Sequence, residues 1–83
     1  MTKAEGAFTQ ADLHRIYDEQ EGMCRYCGIT LFWEIDGDIH ADHIIPLSRG
    51  GTNWPDNIAL SCQACNLSKA NKLVPEWQAV RGW

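Results

Sequence analysis

The chain contains no apolar run near the roughly 18 to 20 residues of a membrane span, so no membrane helix is expected. Its first ten residues lack the basic-then-apolar layout of a secretory leader, and a cytoplasmic protein is expected. Basic residues are scarce: seven Lys and Arg face eleven Asp and Glu, for a net charge of −4 at pH 7. That sign argues against an architectural nucleic-acid binder, whose affinity rests on many phosphate contacts. Contact with a polyanion has to be local, from Arg49, Lys69, Lys72 and Arg25, or be helped by a bound cation. Repeats and low-complexity stretches are also missing. At 83 residues the chain has room for one small domain with a thin core, and chains this short often add a metal or disulfides.

The four cysteines answer that need. They fall as two Cys-x-x-Cys pairs, Cys24/Cys27 and Cys62/Cys65. A thioredoxin-like redox motif needs only one such pair, and a reducing compartment disfavours disulfides. Two pairs match the ligand count and spacing of a closed, tetrahedral Zn2+ site whose role is folding.

Along the chain, 1–8 reads as a loose lead-in. Thr9 then reads as an N-cap with Asp12 three residues on, followed by Leu13, Ile16 and Tyr17 at helical spacing and a stop at Gly22. His14 on this helix has no ligand-spaced partner and reads as a surface or packing residue. After the Cys24–Gly28 knuckle, Ile29 to Ile35 is β-branched and aromatic and reads as a strand. Asp36-Gly37-Asp38 is turn chemistry, so a hairpin into Ile39 to Ile45 is expected, ended by Pro46. A functional loop over Leu47 to Asp56, with Gly50-Gly51, Asn53 and Pro55, leads to a short extended run through Ser61 that pairs with the His43 strand. Cys62 to Lys72 reads as a helix, and Pro75 starts a short terminal one. Trp77, Val80 and Trp83 are expected to cover apolar surface.

The stretch from His40 to Lys69 combines an Asp42-His43 pair, Gly50-Gly51, Asn57 and a Cys-x-x-Cys followed at once by Asn66. With the upstream cysteines, this pattern resembles the HNH endonucleases, the zinc-stapled branch of the ββα-metal nucleases, over 24–72. The resemblance implies an α+β fold, a small zinc-stapled ββα-metal domain with an N-terminal helix, as a single domain over 1–83 with a flank at 73–83. It also implies hydrolysis or nicking of DNA to leave 5′-phosphate and 3′-hydroxyl ends. In it, His43 matches the general base, Asp42 and Asn66 the ligands of a catalytic divalent ion, and Asn57 the middle Asn that steadies the loop or the base. Asn66 supplies an amide oxygen where many members have imidazole, a harder ligand that suits Mg2+ or Mn2+.

Phosphodiester hydrolysis needs a base for water, positive charge on phosphate and help for the departing oxygen. An imidazole with a reference pKa near 6.5 and one divalent ion can supply these. Strand alternation puts His40 on the same face as Asp42 and His43 on the other, so His40 is a candidate for a supporting metal contact. Lys69, one turn beyond Asn66, and Arg49 in the loop are candidate phosphate contacts. The chain is expected to act as a monomer or homodimer. A catalytically silent zinc-stapled nucleic-acid-binding module and an RNA-directed nuclease are the rival readings.

Overall fold

Thr9 starts the first helix as the sequence predicts. Its hydroxyl accepts the Asp12 N–H at 3.2 Å, and the Asp12 carboxylate accepts the Thr9 N–H at 2.8 Å, closing a reciprocal capping box. The computed structural model describes residues 4–81, and helix α1 runs Gln10–Glu19. The chain leaves it through Glu21, at φ 56°, and the Gly22 N–H returns to the Tyr17 carbonyl at 2.9 Å.

Strand β1 (His40–His43) pairs antiparallel with β2 (Ile58–Ser61), His40 opposite Ser61 and His43 opposite Ile58. Helix α2 (Gln63–Lys69) follows β2 directly, and α3 (Val74–Arg81) closes the described chain. The architecture is α+β, with β1, β2 and α2 forming a ββα unit and α1 laid against β2. All four residues of β2 are buried. Its outer edge is covered by a side chain: Gln20 accepts the Leu60 N–H and donates to the Leu60 carbonyl, both at 2.9 Å. An edge paired this way offers no free ladder to another strand.

Ile16, Leu31, Ile58, Leu60 and Trp77 form the core together with Cys24 and Cys65. Each large apolar side chain enclosed there contributes roughly 1.5–3 kcal/mol. Trp77 is fully enclosed, as expected, and its indole N–H donates to Ser68 Oγ at 2.9 Å. Val80 is 74 % exposed and covers nothing, because α3 turns its Trp77 face inward and leaves the next turn in solvent. Trp83 lies outside the described residues. Arg49 and Glu76 join the loop to α3 through a two-pronged ion pair at 2.8 and 3.3 Å.

The expected strand over Ile29 to Ile35 and its hairpin with Ile39 to Ile45 do not form. An isolated bridge between Met23 and Thr30 is the one ladder contact in that region. The Leu31 N–H goes to the Gly22 carbonyl at 2.7 Å, and the Phe32 N–H is captured by the Asp38 carboxylate at 2.7 Å. These local bonds fold the segment back on itself. Leu31 enters the core, Trp33 packs on His14 and Tyr17, and Ile29, Phe32 and Ile35 face solvent. The β-branched and aromatic content read as a strand instead lies in an irregular loop. His14, as expected, is a packing residue, its ring 4.1 Å from that of Trp33.

Candidate active site and metal centre

Cys62 caps α2, its sulfur accepting the Cys65 N–H at 3.4 Å, and this brings the second cysteine pair against the knuckle. The four sulfurs lie within 4.8 Å of one another. Among the described residues they form the one group of three or more Cys, His, Asp or Glu side chains able to share an ion. All four thiols are free, and Cys27 and Cys62 stand 3.8 Å apart at sulfur. A tetrahedron with Zn–S bonds of ~2.3 Å has sulfur–sulfur edges of about 3.8 Å, so donor set and spacing both fit zinc. Burial pushes the Cys65 thiol far up, and its sulfur neighbours add to the shift. Burial opposes charge on Cys24 too, but N–H groups of Cys27, Cys62 and Tyr26 outweigh it and bring that thiol down to about 7. Such a crowded pocket holds several thiolates comfortably only around a cation.

The second cluster sits at the end of β1. Asp42 is buried, and both of its protein contacts fall on one oxygen: Oδ2 accepts the Tyr26 hydroxyl at 2.6 Å and lies 3.3 Å from Lys69 Nζ. Burial, and then the adjoining Asp42 carboxylate, push the Tyr26 phenol well above its ordinary range, so it stays a donor. Asn66 lies on α2 one turn before Lys69, on the same face, and Lys69 reaches β1. An Asp carboxylate on β1 and an Asn amide on α2 are donor types that suit a hard divalent cation.

His43 is half-buried. Its Nε2 meets Asn53 Oδ1 at 2.7 Å, and Phe8 packs edge-on against the ring. An amide oxygen only accepts, so in this bond Nε2 is the donor. Asn57 has a different task. Its amide accepts the Ile45 N–H at 2.9 Å and donates to the carbonyls of Ile45 and Thr52 at 3.0 and 2.9 Å. Both ends are committed to bracing the loop after His43. Gly51 fits beneath this brace because a Cβ there would collide with the Ile45 carbonyl and come within 2.9 Å of Asn57 Nδ2.

Two expected phosphate contacts stand elsewhere. Lys69 is fully enclosed, donating to the His43 carbonyl at 3.0 Å and pairing with Asp42, so it faces inward. Arg49 is held by Glu76. His40 shares the Asp42 face, as alternation requires, but no hydrogen bond links it to Asp42. Its buried Nε2 and the buried Ser61 Oγ opposite both lack a protein partner among the described residues. Asn53 and Tyr26 are the contributors that sequence reasoning missed. Asn53 looked like turn chemistry, and Tyr26 was hidden between two zinc-spaced cysteines.

Comparison with known proteins gives a family and a fold neighbour. The family model described as HNH endonuclease matches residues 24–72. The crystal structure of the Type II-C Cas9 enzyme from Actinomyces naeslundii superposes with a TM-score of 0.74 at 29 % identity. The alignment covers 95 % of this chain and 8 % of that one, so the chain corresponds to a small part of the larger enzyme. A comparison with curated proteins gives no match.

Proposed function

Because the chain belongs to the HNH endonuclease family, we propose that it is a metal-dependent endonuclease that hydrolyses DNA phosphodiester bonds. His43 is the general base, and Asp42 and Asn66 hold a divalent cation, Mg2+ or Mn2+. The cysteine cluster holds Zn2+ and shapes the fold. The observation that carries the reading is the paired fixation at the end of β1. Tyr26 and Lys69 fix one oxygen of Asp42, and Asn53 fixes one nitrogen of the neighbouring His43.

Each residue then has a task set by its bonds. The Nε2–H bond to Asn53 leaves Nδ1 to take a proton from water as it attacks phosphorus. Tyr26 and Lys69 orient the Asp42 carboxylate and balance its charge on the buried side. Asn57 holds the Ile45–Thr52 loop against the strand, which keeps the His43 ring in place. A divalent cation, when bound, supplies Lewis-acid polarisation of the phosphate and charge for the departing oxygen.

Nicking of supercoiled plasmid by the zinc-loaded protein, with Mn2+ or Mg2+ added, tests the reading. The His43→Ala variant is expected to keep its zinc and fold but to cut roughly 100- to 10,000-fold more slowly, the usual worth of a general base. A variant that cuts at the parent rate removes His43 from that role. One observation favours a catalytically silent module: Asp42 is already charge-paired with Lys69. Manganese titration followed by electron paramagnetic resonance separates the two readings, since a silent module leaves Mn2+ free in solution whether or not Asp42 is changed to Asn.

A further inference from the structure

We propose that Trp54, next in the chain to the Asn53 that bonds His43, is a stacking platform for an unpaired DNA base, so that the substrate is single-stranded or locally unpaired DNA. The inference rests on the nuclease reading for its site and goes beyond it in naming the strand state of the substrate.

Trp54 is 51 % exposed, yet it is pinned. Gly6, at φ 94°, packs so closely on the indole that a Cβ there would come within 2.6 Å of the ring. The Glu5 carbonyl accepts the Asn53 N–H at 2.7 Å and locks the same segment to the loop. A large aromatic held this rigidly, with half its surface in solvent, contributes little to the core. It pays almost no ordering entropy on binding a planar partner. The next residue back, Asn53, is the one that holds His43 Nε2.

Trp54 lines a groove of about 600 Å³ together with Arg15, Arg25 and Ile44, the residue after His43. A smaller hollow of about 230 Å³ shares Arg25 and Ile44 and extends past Tyr26 to Arg81. The Arg25 guanidinium has no ion-pair partner among the described residues. Arg15 is only half-exposed and pairs with Asp12 and Glu19. Glu19 and Asp56 also line the main groove, so its formal charge sums to zero. Such a surface does not match the dense double row of phosphates on a duplex. It suits a strand held chiefly by stacking, with one or two guanidiniums on its backbone, which is how single strands are bound. A protein with a net charge of −4 can gain affinity this way without a basic surface.

The test is fluorescence anisotropy with the full chain, zinc-loaded and without added Mg2+ or Mn2+. The probes are a labelled DNA single strand, the blunt duplex of the same sequence and the matching RNA strand. The single strand of DNA is expected to bind best. Trp54→Ala is expected to weaken it by about 5- to 150-fold, the worth of one stacked base, with little change on duplex. Trp54→Phe, which keeps an aromatic face, is expected to recover most of the loss. An alanine variant that holds the single strand as the parent does overturns the proposal, as do equal losses on strand and duplex. Tighter binding of RNA overturns the choice of DNA. No bond is cut in this assay, so its outcome is separable from the nicking test. An alanine variant that binds the single strand like the parent, with nicking intact, sinks only the platform, and the expected binding loss with no nicking by the parent sinks only the nuclease.

Discussion

The cysteine cluster and the end of β1 lie at opposite ends of one helix, α2, and they are built on different principles. The cluster is four like donors from two local pairs, and its geometry follows once the two pairs meet. The strand end gathers unlike groups from the knuckle, β1, the loop and α2, and Asp42, His43 and Lys69 are each held by a hydrogen bond to a residue distant in sequence. A staple needs donors of the right kind at the right spacing. A reaction site needs each donor's free atom pointed correctly, and so depends on what holds the other atom.

The largest effect comes from separating the two regions at the staple. The core is small, and two of its buried residues, Cys24 and Cys65, also belong to the cluster proposed to hold zinc. Apparent binding energies of structural zinc are on the order of 10–16 kcal/mol, more than a domain of this size holds in reserve. Removing zinc with a strong chelator, or replacing Cys65 by Ser, is therefore expected to unfold the whole chain, the strand end included. Far-UV circular dichroism and the melting temperature read this out. An apo protein that melts where the zinc form does shows that the strand end stands without the staple, and the comparison breaks.

A smaller effect is expected at Lys69, the residue that belongs to both regions. It sits in the last turn of the zinc-held helix, and its ammonium is fully enclosed against Asp42 and the His43 carbonyl. Removing one partner of a buried ion pair typically costs 3–5 kcal/mol, because the other charge is left uncompensated. Lys69→Met is expected to destabilise the fold by that amount, measured by urea denaturation. The double variant Lys69→Met, Asp42→Asn is expected to regain much of it. A loss under about 1 kcal/mol for the single variant means that water reaches the pair and that the two regions are not joined there.

The same contrast explains what the sequence disclosed. Features written in local spacing were legible: the Thr9–Asp12 cap, the paired cysteines, the β2 strand and its pairing with the His43 strand. Asp42, His43, Asn57 and Asn66 could be named because they recur as a pattern, but their partners could not. Lys69 shows why. Spacing put it on the face of Asn66, yet helical periodicity alone does not say whether that face looks to solvent or to β1. Ile29 to Ile35 fails for a related reason: β-branched and aromatic side chains favour extended backbone, while a ladder also needs backbone partners, and Gly22 and Asp38 had taken those. Asn53 is the subtlest case, since a turn-forming Asn and a residue that aims an imidazole look alike until the loop is folded.

Asn53 also offers the gentlest way to sharpen the comparison, because its side chain bears on the direction of a proton and hardly on the fold. Its backbone N–H, the one bonded to Glu5, survives any substitution, so Asn53→Ala is expected to melt close to the parent. Without the Oδ1 acceptor, His43 is free to place its proton on either nitrogen, and the reactive tautomer loses the advantage of a neutral hydrogen bond. At 0.5–1.5 kcal/mol this lowers kcat by about two- to thirteenfold, with KM little changed. A kcat that is unchanged in Asn53→Ala shows that the 2.7 Å bond plays no part in aiming His43. In that case the strand end owes its geometry to packing and the zinc-held helix, and the two regions differ less than their bonds suggest.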